Sequence, residues 1–119
     1  LFAVSQDREW DPETVFEVLG SELARRILAL ADAEPCSAET IAQRCDASLP
    51  TVYRRLNVLQ KYDLVREQRA VDDDGTHFKT YETDLERICF VVDDGSFGVD
   101  IQLRRAFIDD EVEVGAPEE

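Results

Sequence analysis

The chain reads as an α+β protein in which three to four helices are followed by a β-hairpin and then a second, C-terminal hairpin. Three observations predict this. Between residues 37 and 61, two short runs with apolar residues at helical spacing flank a tight turn at Asp46-Ala47. Beyond Leu64 the pattern changes from helical period to strand-like alternation. Two turn signals, Asp72-Asp73-Asp74-Gly75 and Asp93-Asp94-Gly95-Ser96, then divide that second half into paired segments.

Taken in order, residues 1–11 form an N-terminal tail with Trp10 just before Asp11-Pro12. A short helix is predicted over residues 13–19, with Val15, Phe16, Val18 and Leu19 inward, and Gly20-Ser21 breaks or bends it. Residues 22–33 repeat the pattern with Leu23, Ile27, Leu28 and Leu30, and Glu34-Pro35 ends that run. Ser37 is a good N-cap for a third helix, whose inward residues are Ile41 and Ala42. Ser48 caps a fourth, with Pro50 in its first turn, where a missing N–H costs nothing. Along it, Leu49, Val52, Leu56 and Leu59 form an apolar back, and Thr51, Arg54, Arg55, Val58 and Lys61 face the other way. Residues 64–71 and 77–83 make the first hairpin, and residues 87–92 and 97–103 the second. That second hairpin is too apolar to stand exposed. Residues 104–110 continue the strand or turn into a helix through Ala106 and Phe107, and residues 115–119 are an acidic tail.

Two short helices with an apolar back and a front of Thr and Arg, followed by a hairpin, make a winged helix-turn-helix. Its second helix has the build that major-groove reading requires. The expected organisation is a tail over residues 1–11, a DNA-binding domain over 12–83, a hairpin extension over 84–114 for dimerisation or an accessory role, and a tail over 115–119.

Charge locates the same surface. The 119 residues carry 27 acidic and 13 basic side chains, for a net charge of −14, and only Lys61 and Lys79 among the bases are lysines. An acid-rich, lysine-poor chain with 44% hydrophobic residues suits a cytoplasm at very high salt, where self-repulsion is screened. Residues 1–36 hold eight acids against three bases, and residues 70–119 hold fifteen against four. Only residues 37–69 are cationic, with six bases (Arg44, Arg54, Arg55, Lys61, Arg66, Arg69) against four acids. With no span long enough to cross a membrane and no basic-then-apolar leader, a soluble cytoplasmic protein is the default expectation.

The string SLPTVYRRLNVLQKYDLV resembles the recognition helix and wing approach of winged helix-turn-helix transcription regulators, in particular the ArsR-like ones of halophilic archaea. Upstream, residues 15–28, with the run LGSELARRIL, resemble the opening helix of that group, and the likeness covers about residues 12–82. It implies a homodimeric regulator that binds double-stranded DNA. The chain departs from the group at two places: its wing tip is acidic, and it has a lone Cys45 where metal sensors carry paired cysteines.

The candidate DNA-binding residues are Ser48, Thr51, Tyr53, Arg54, Arg55, Lys61, Arg66, Arg69, His77 and Lys79. Either Arg54 or Arg55 is placed for a bidentate pair to guanine, worth about 1–3 kcal/mol of discrimination; phosphate contacts or surface ion pairs are the alternative. Thr51 suits a phosphate or a thymine methyl, and Tyr53 either reaches out or lays its ring on the core. Ser48 is first a cap, and a phosphate there would use the positive helix end. Arg66, Arg69, His77 and Lys79 lie on the wing strands. Cys36, Cys45 and Cys89 lack zinc-like spacing, so no metal or other cofactor is expected. Cys36 flanks the N-cap Ser37, where a helix N-terminus lowers a thiol pKa, and is the candidate for redox sensing. No nucleophile–base pair or phosphate loop is visible, so catalysis is not expected. A different class of function, a protein-interaction subunit of transcription or chromatin machinery, fits the overall acidity.

Overall fold

The computed structural model describes residues 11–104, so the readings made for the N-terminal tail with Trp10, for Ala106 and Phe107, and for the acidic tail lie outside the described residues. Four helices come first: α1 (Pro12–Leu19), α2 (Glu22–Ala33), α3 (Ala38–Cys45) and α4 (Leu49–Lys61). Four strands follow: β1 (Val65–Val71), β2 (His77–Thr83), β3 (Leu85–Asp93) and β4 (Ser96–Leu103). They pair as two antiparallel hairpins, β1 with β2 and β3 with β4. This is the expected α+β winged helix.

Caps set the helix starts. Asp11, Ser21, Ser37 and Ser48 each sit in extended backbone and accept a bond from the N–H of the helix's first turn. Because Asp11 is the cap, α1 starts at Pro12, one residue before the sequence places it. Gly20 closes α1 by donating to the Phe16 carbonyl at 2.7 Å, and a Cβ built there would stand 2.7 Å from that same oxygen. Only glycine lets the chain pass so close before α2 begins.

The core joins all four helices to both hairpins. Ile27, Ile41, Val52, Leu56 and Leu59 are wholly buried, and Val15, Val18, Tyr81, Ile101 and Leu103 belong to the same cluster. Burying each large aliphatic side chain contributes about 1.5–3 kcal/mol. The second hairpin is therefore part of the body, anchored by its last strand.

Two connections were not visible in the sequence. Cys36, between α2 and α3, exchanges backbone bonds with Tyr81 (3.1 and 2.7 Å), adding a one-residue bridge to the edge of the wing. Leu64 accepts from the N–H groups of both Asp84 and Leu85, which ties the junction of the two hairpins to the end of α4. The Thr83 hydroxyl donates to the Leu28 carbonyl at 2.8 Å and pins the base of the wing on α2.

Candidate nucleic-acid interface

α3 and α4 are joined by residues 46–48, and Asp46 opens the turn in a left-handed conformation (φ 55, ψ 46). Asp does this more readily than most side chains. Val52, Leu56 and Leu59 then hold α4 against the body. An α-helix turns about 100° per residue, so Arg54, two residues from both Val52 and Leu56, points away from the core. Tyr53 and Arg55 fall on opposite flanks.

The side chains follow that geometry. Arg54 is exposed, Arg55 is half-buried, and Tyr53 is 40% exposed rather than laid on the core. The Arg55 Nε is buried without a hydrogen-bond partner. Arg54 donates from Nη2 to the Thr51 hydroxyl at 3.3 Å. Thr51 is in turn bonded to the capping Ser48, whose hydroxyl donates to Thr51 Oγ1 at 2.8 Å. Lys61, two turns beyond Arg54, lies on the same outward line and sits 5.6 Å over the Tyr62 ring. Asn57 is also exposed on this line, and the sequence reading passed over it. Its signal was the three-residue step from Arg54.

Charge pairing divides the cations. Arg44, Arg54, Arg55, Lys61 and Arg69 make no carboxylate pair among the described residues, whereas Arg66 pairs with both Glu82 (2.8 Å) and Asp84 (3.3 Å). Lys79 is 3.5 Å from Glu67. Helix ends differ in the same sense: Glu13, Glu22 and Glu39 lie in the first turns of α1, α2 and α3, and the first turn of α4 has no acid. Its positive end therefore has no carboxylate of its own first turn to compensate it.

The wing strands sort their residues by face. Arg69 stands opposite Lys79, and Val71 opposite His77, on the face that also bears Glu67 and Tyr81. Tyr81 is near enough to Tyr53 and Glu39 to feel their charge, so this face adjoins the helical motif. Arg66 lies on the other face with Gln68 and Glu82. The four wing candidates thus do not come together: Arg69, His77 and Lys79 share a face, and Arg66 is turned away and neutralised.

The wing tip is acidic and well ordered. Asp72 accepts from the N–H groups of Asp74 and Thr76, and Asp74 accepts from the Thr76 N–H and hydroxyl. Hydrogen bonding at its carboxyl, with Asp72 first and then with Thr76, holds Asp74 below its usual range.

Cys36 does not meet the expectation of an activated thiol. It is 7% exposed, donates to the Glu34 carbonyl at 3.2 Å, and its pKa is pushed up by burial first and then by the Glu34 charge. The sulfur faces the Glu34 and Leu30 carbonyls, and burial sets its pKa. Among the described residues no group of three or more His, Cys, Asp and Glu is placed to hold a metal ion, and no helix is long and apolar enough to cross a membrane. An apolar cleft between α1 and the second hairpin, lined by Val15, Val18, Tyr62 and Ile101 among others, holds about 10 Å³, room for little more than a water molecule.

A family model described as a helix-turn-helix domain matches residues 19–68, from the end of α1 into β1. No curated protein matches the chain. The matched stretch contains α2, α3 and α4 whole, and supports a DNA-binding regulator of the helix-turn-helix kind.

Proposed function

We propose that the chain is a sequence-specific regulator of transcription that binds double-stranded DNA as a homodimer in a high-salt cytoplasm. The observation that carries this reading is the outward face of α4. Thr51, Arg54, Asn57 and Lys61 line it, its cations make no carboxylate pair among the described residues, and the helix start is free of acids. A guanidinium kept unpaired on a net −14 chain retains its charge for an outside anion. Two copies would set α4 into successive major grooves of a partly palindromic site, about one helical turn apart. Arg69, His77 and Lys79 would contact the flanking backbone from the wing. Arg66 is left out of this contact set.

The second copy fits the aromatic surface of the body. Phe16, Phe90 and Phe97 stack with ring centroids 4.7–6.0 Å apart, each is 42–47% exposed, and Val92 beside them is 76% exposed. Solvent-facing rings in such a cluster mark a contact surface. Selection of duplexes from a random pool at molar KCl tests the reading: one enriched, partly symmetric sequence bound by two copies supports it. Failure to enrich any sequence at any salt refutes it.

A machinery subunit is the second reading, favoured by one feature, the ordered and charged tip Asp72-Asp73-Asp74, which would face phosphates if the wing entered a groove. Chromatin immunoprecipitation separates the two: discrete promoter peaks belong to a regulator, and signal smeared over genes to a subunit.

A further inference from the structure

We infer that Ser48 and Thr51 form a hydroxyl relay that aims Arg54 at a base edge, making Arg54 rather than Arg55 the specificity residue and Thr51 its positioning residue. This rests on reading α4 as the DNA-facing helix. Three bonds build the relay. The Thr51 N–H donates to Ser48 Oγ at 3.3 Å, the Ser48 hydroxyl donates to Thr51 Oγ1 at 2.8 Å, and Arg54 Nη2 donates to the same Thr51 oxygen at 3.3 Å. Positions 48, 51 and 54 recur every three residues, which brings the three side chains onto one line of the helix.

The chemistry of a hydroxyl suits this place. A carboxylate here would hold Arg54 harder but neutralise it, as Glu82 and Asp84 do for Arg66. A hydroxyl orients the guanidinium and leaves its charge intact. Arginine has five N–H donors, so one bond to Thr51 leaves enough for both O6 and N7 of a guanine. Fixing the side chain beforehand also removes part of the rotamer freedom it would otherwise lose on binding. The Thr51 oxygen accepts from both Ser48 and Arg54, which fills its lone pairs and leaves its own O–H to donate to a phosphate oxygen. Arg55 has no such guide: it is half-buried on the flank of the helix, with its Nε orphaned.

The test measures binding of the full-length protein at molar KCl to its own selected duplex and to each single-base variant of it. Thr51→Val, which keeps the shape and loses the hydroxyl, should weaken binding about 2- to 12-fold, the worth of one hydrogen bond. It should flatten preference at the same base pair as Arg54→Ala, and Thr51→Ser should restore both. Arg55→Ala should weaken all duplexes alike. Melting curves check that each variant is folded. The relay is refuted if Thr51→Val keeps wild-type preference at that base pair, or if Arg55→Ala flattens one position and Arg54→Ala does not. If neither arginine variant changes binding at all, the DNA-facing assignment of α4 fails with it.

Discussion

Arg54 on α4 and Arg66 on β1 are the same side chain in the one cationic stretch of the chain, and the fold treats them in opposite ways. Arg54 stands in solvent, bonded to the neutral Thr51 hydroxyl, whereas Arg66 is gripped by Glu82 and Asp84. The difference follows from period. A helix places every third or fourth residue on one face, so the apolar line of α4 sends Arg54 outward. A strand alternates, so Arg66 and Arg69, three apart, cannot share a face. The register then sets Glu82 opposite Arg66 and Lys79 opposite Arg69. A count of local charge sees six bases, and the geometry divides them into those available to a ligand and those spent on the fold.

The comparison is broken most directly by removing each arginine. Arg54→Ala should weaken the selected duplex about 5- to 150-fold, from a loss of about 1–3 kcal/mol, while Arg66→Ala should change binding less than about twofold once folded protein is counted. Arg66→Ala should instead lower unfolding stability by about 1 kcal/mol, the worth of a partly exposed ion pair with a hydrogen bond. Fluorescence anisotropy and urea titration give the two numbers. Equal binding losses for the two variants would dissolve the distinction.

A smaller effect is expected at the wing tip. Replacing Asp72, Asp73 and Asp74 together by Asn removes three negative charges and should raise DNA affinity about threefold at 0.1 M salt. At 1 M salt, where the screening length is about 3 Å, the gain should vanish. An undiminished gain at high salt would mean direct contact of the tip with phosphate.

Freeing Arg66 sharpens the point about faces. The double variant Glu82→Gln, Asp84→Asn leaves Arg66 without its carboxylates but still on the far side of the wing, so salt-dependent DNA affinity should stay within about twofold of wild type. A marked rise would place that face on the duplex. Smallest at neutral pH is the effect of Tyr81, at the seam between helix and wing. Burial, helped by the charges of Glu67, Tyr53 and Glu39, raises its pKa above the ordinary 10.0. The unfolded chain thus loses this proton at lower pH than the folded one. Its contribution is fully present below pH 10 and is lost as pH rises through the folded pKa. Urea titrations from pH 8 to 11 should show stability falling above pH 10, with a shallower fall for Tyr81→Phe.

Much of the fold was legible because its signals are local. Ser37 and Ser48 cap helices where a serine before an apolar-periodic run predicts, and both acidic turns close hairpins, with Asp94 and Gly95 at positive φ as a two-residue hairpin turn requires. What was not legible depends on distant pairing. The Cys36–Tyr81 bridge joins residues far apart in sequence, and the burial that raises the Cys36 pKa comes from tertiary packing. The stack of Phe16 with Phe90 and Phe97 needs α1 and the second hairpin brought together. Of the candidate site, the residues of α4 could be sorted from helical period alone. Arg66 and Arg69 could have been sorted by strand alternation, but Arg66's partners needed the register.

The most direct test is genome-wide binding in cells at native salt, comparing wild type with Arg54→Ala at equal protein levels. The account predicts discrete promoter peaks sharing one partly symmetric sequence, lost or strongly weakened in the variant. Peaks of unchanged position and height in the variant, or a wild-type signal spread along genes, would contradict it.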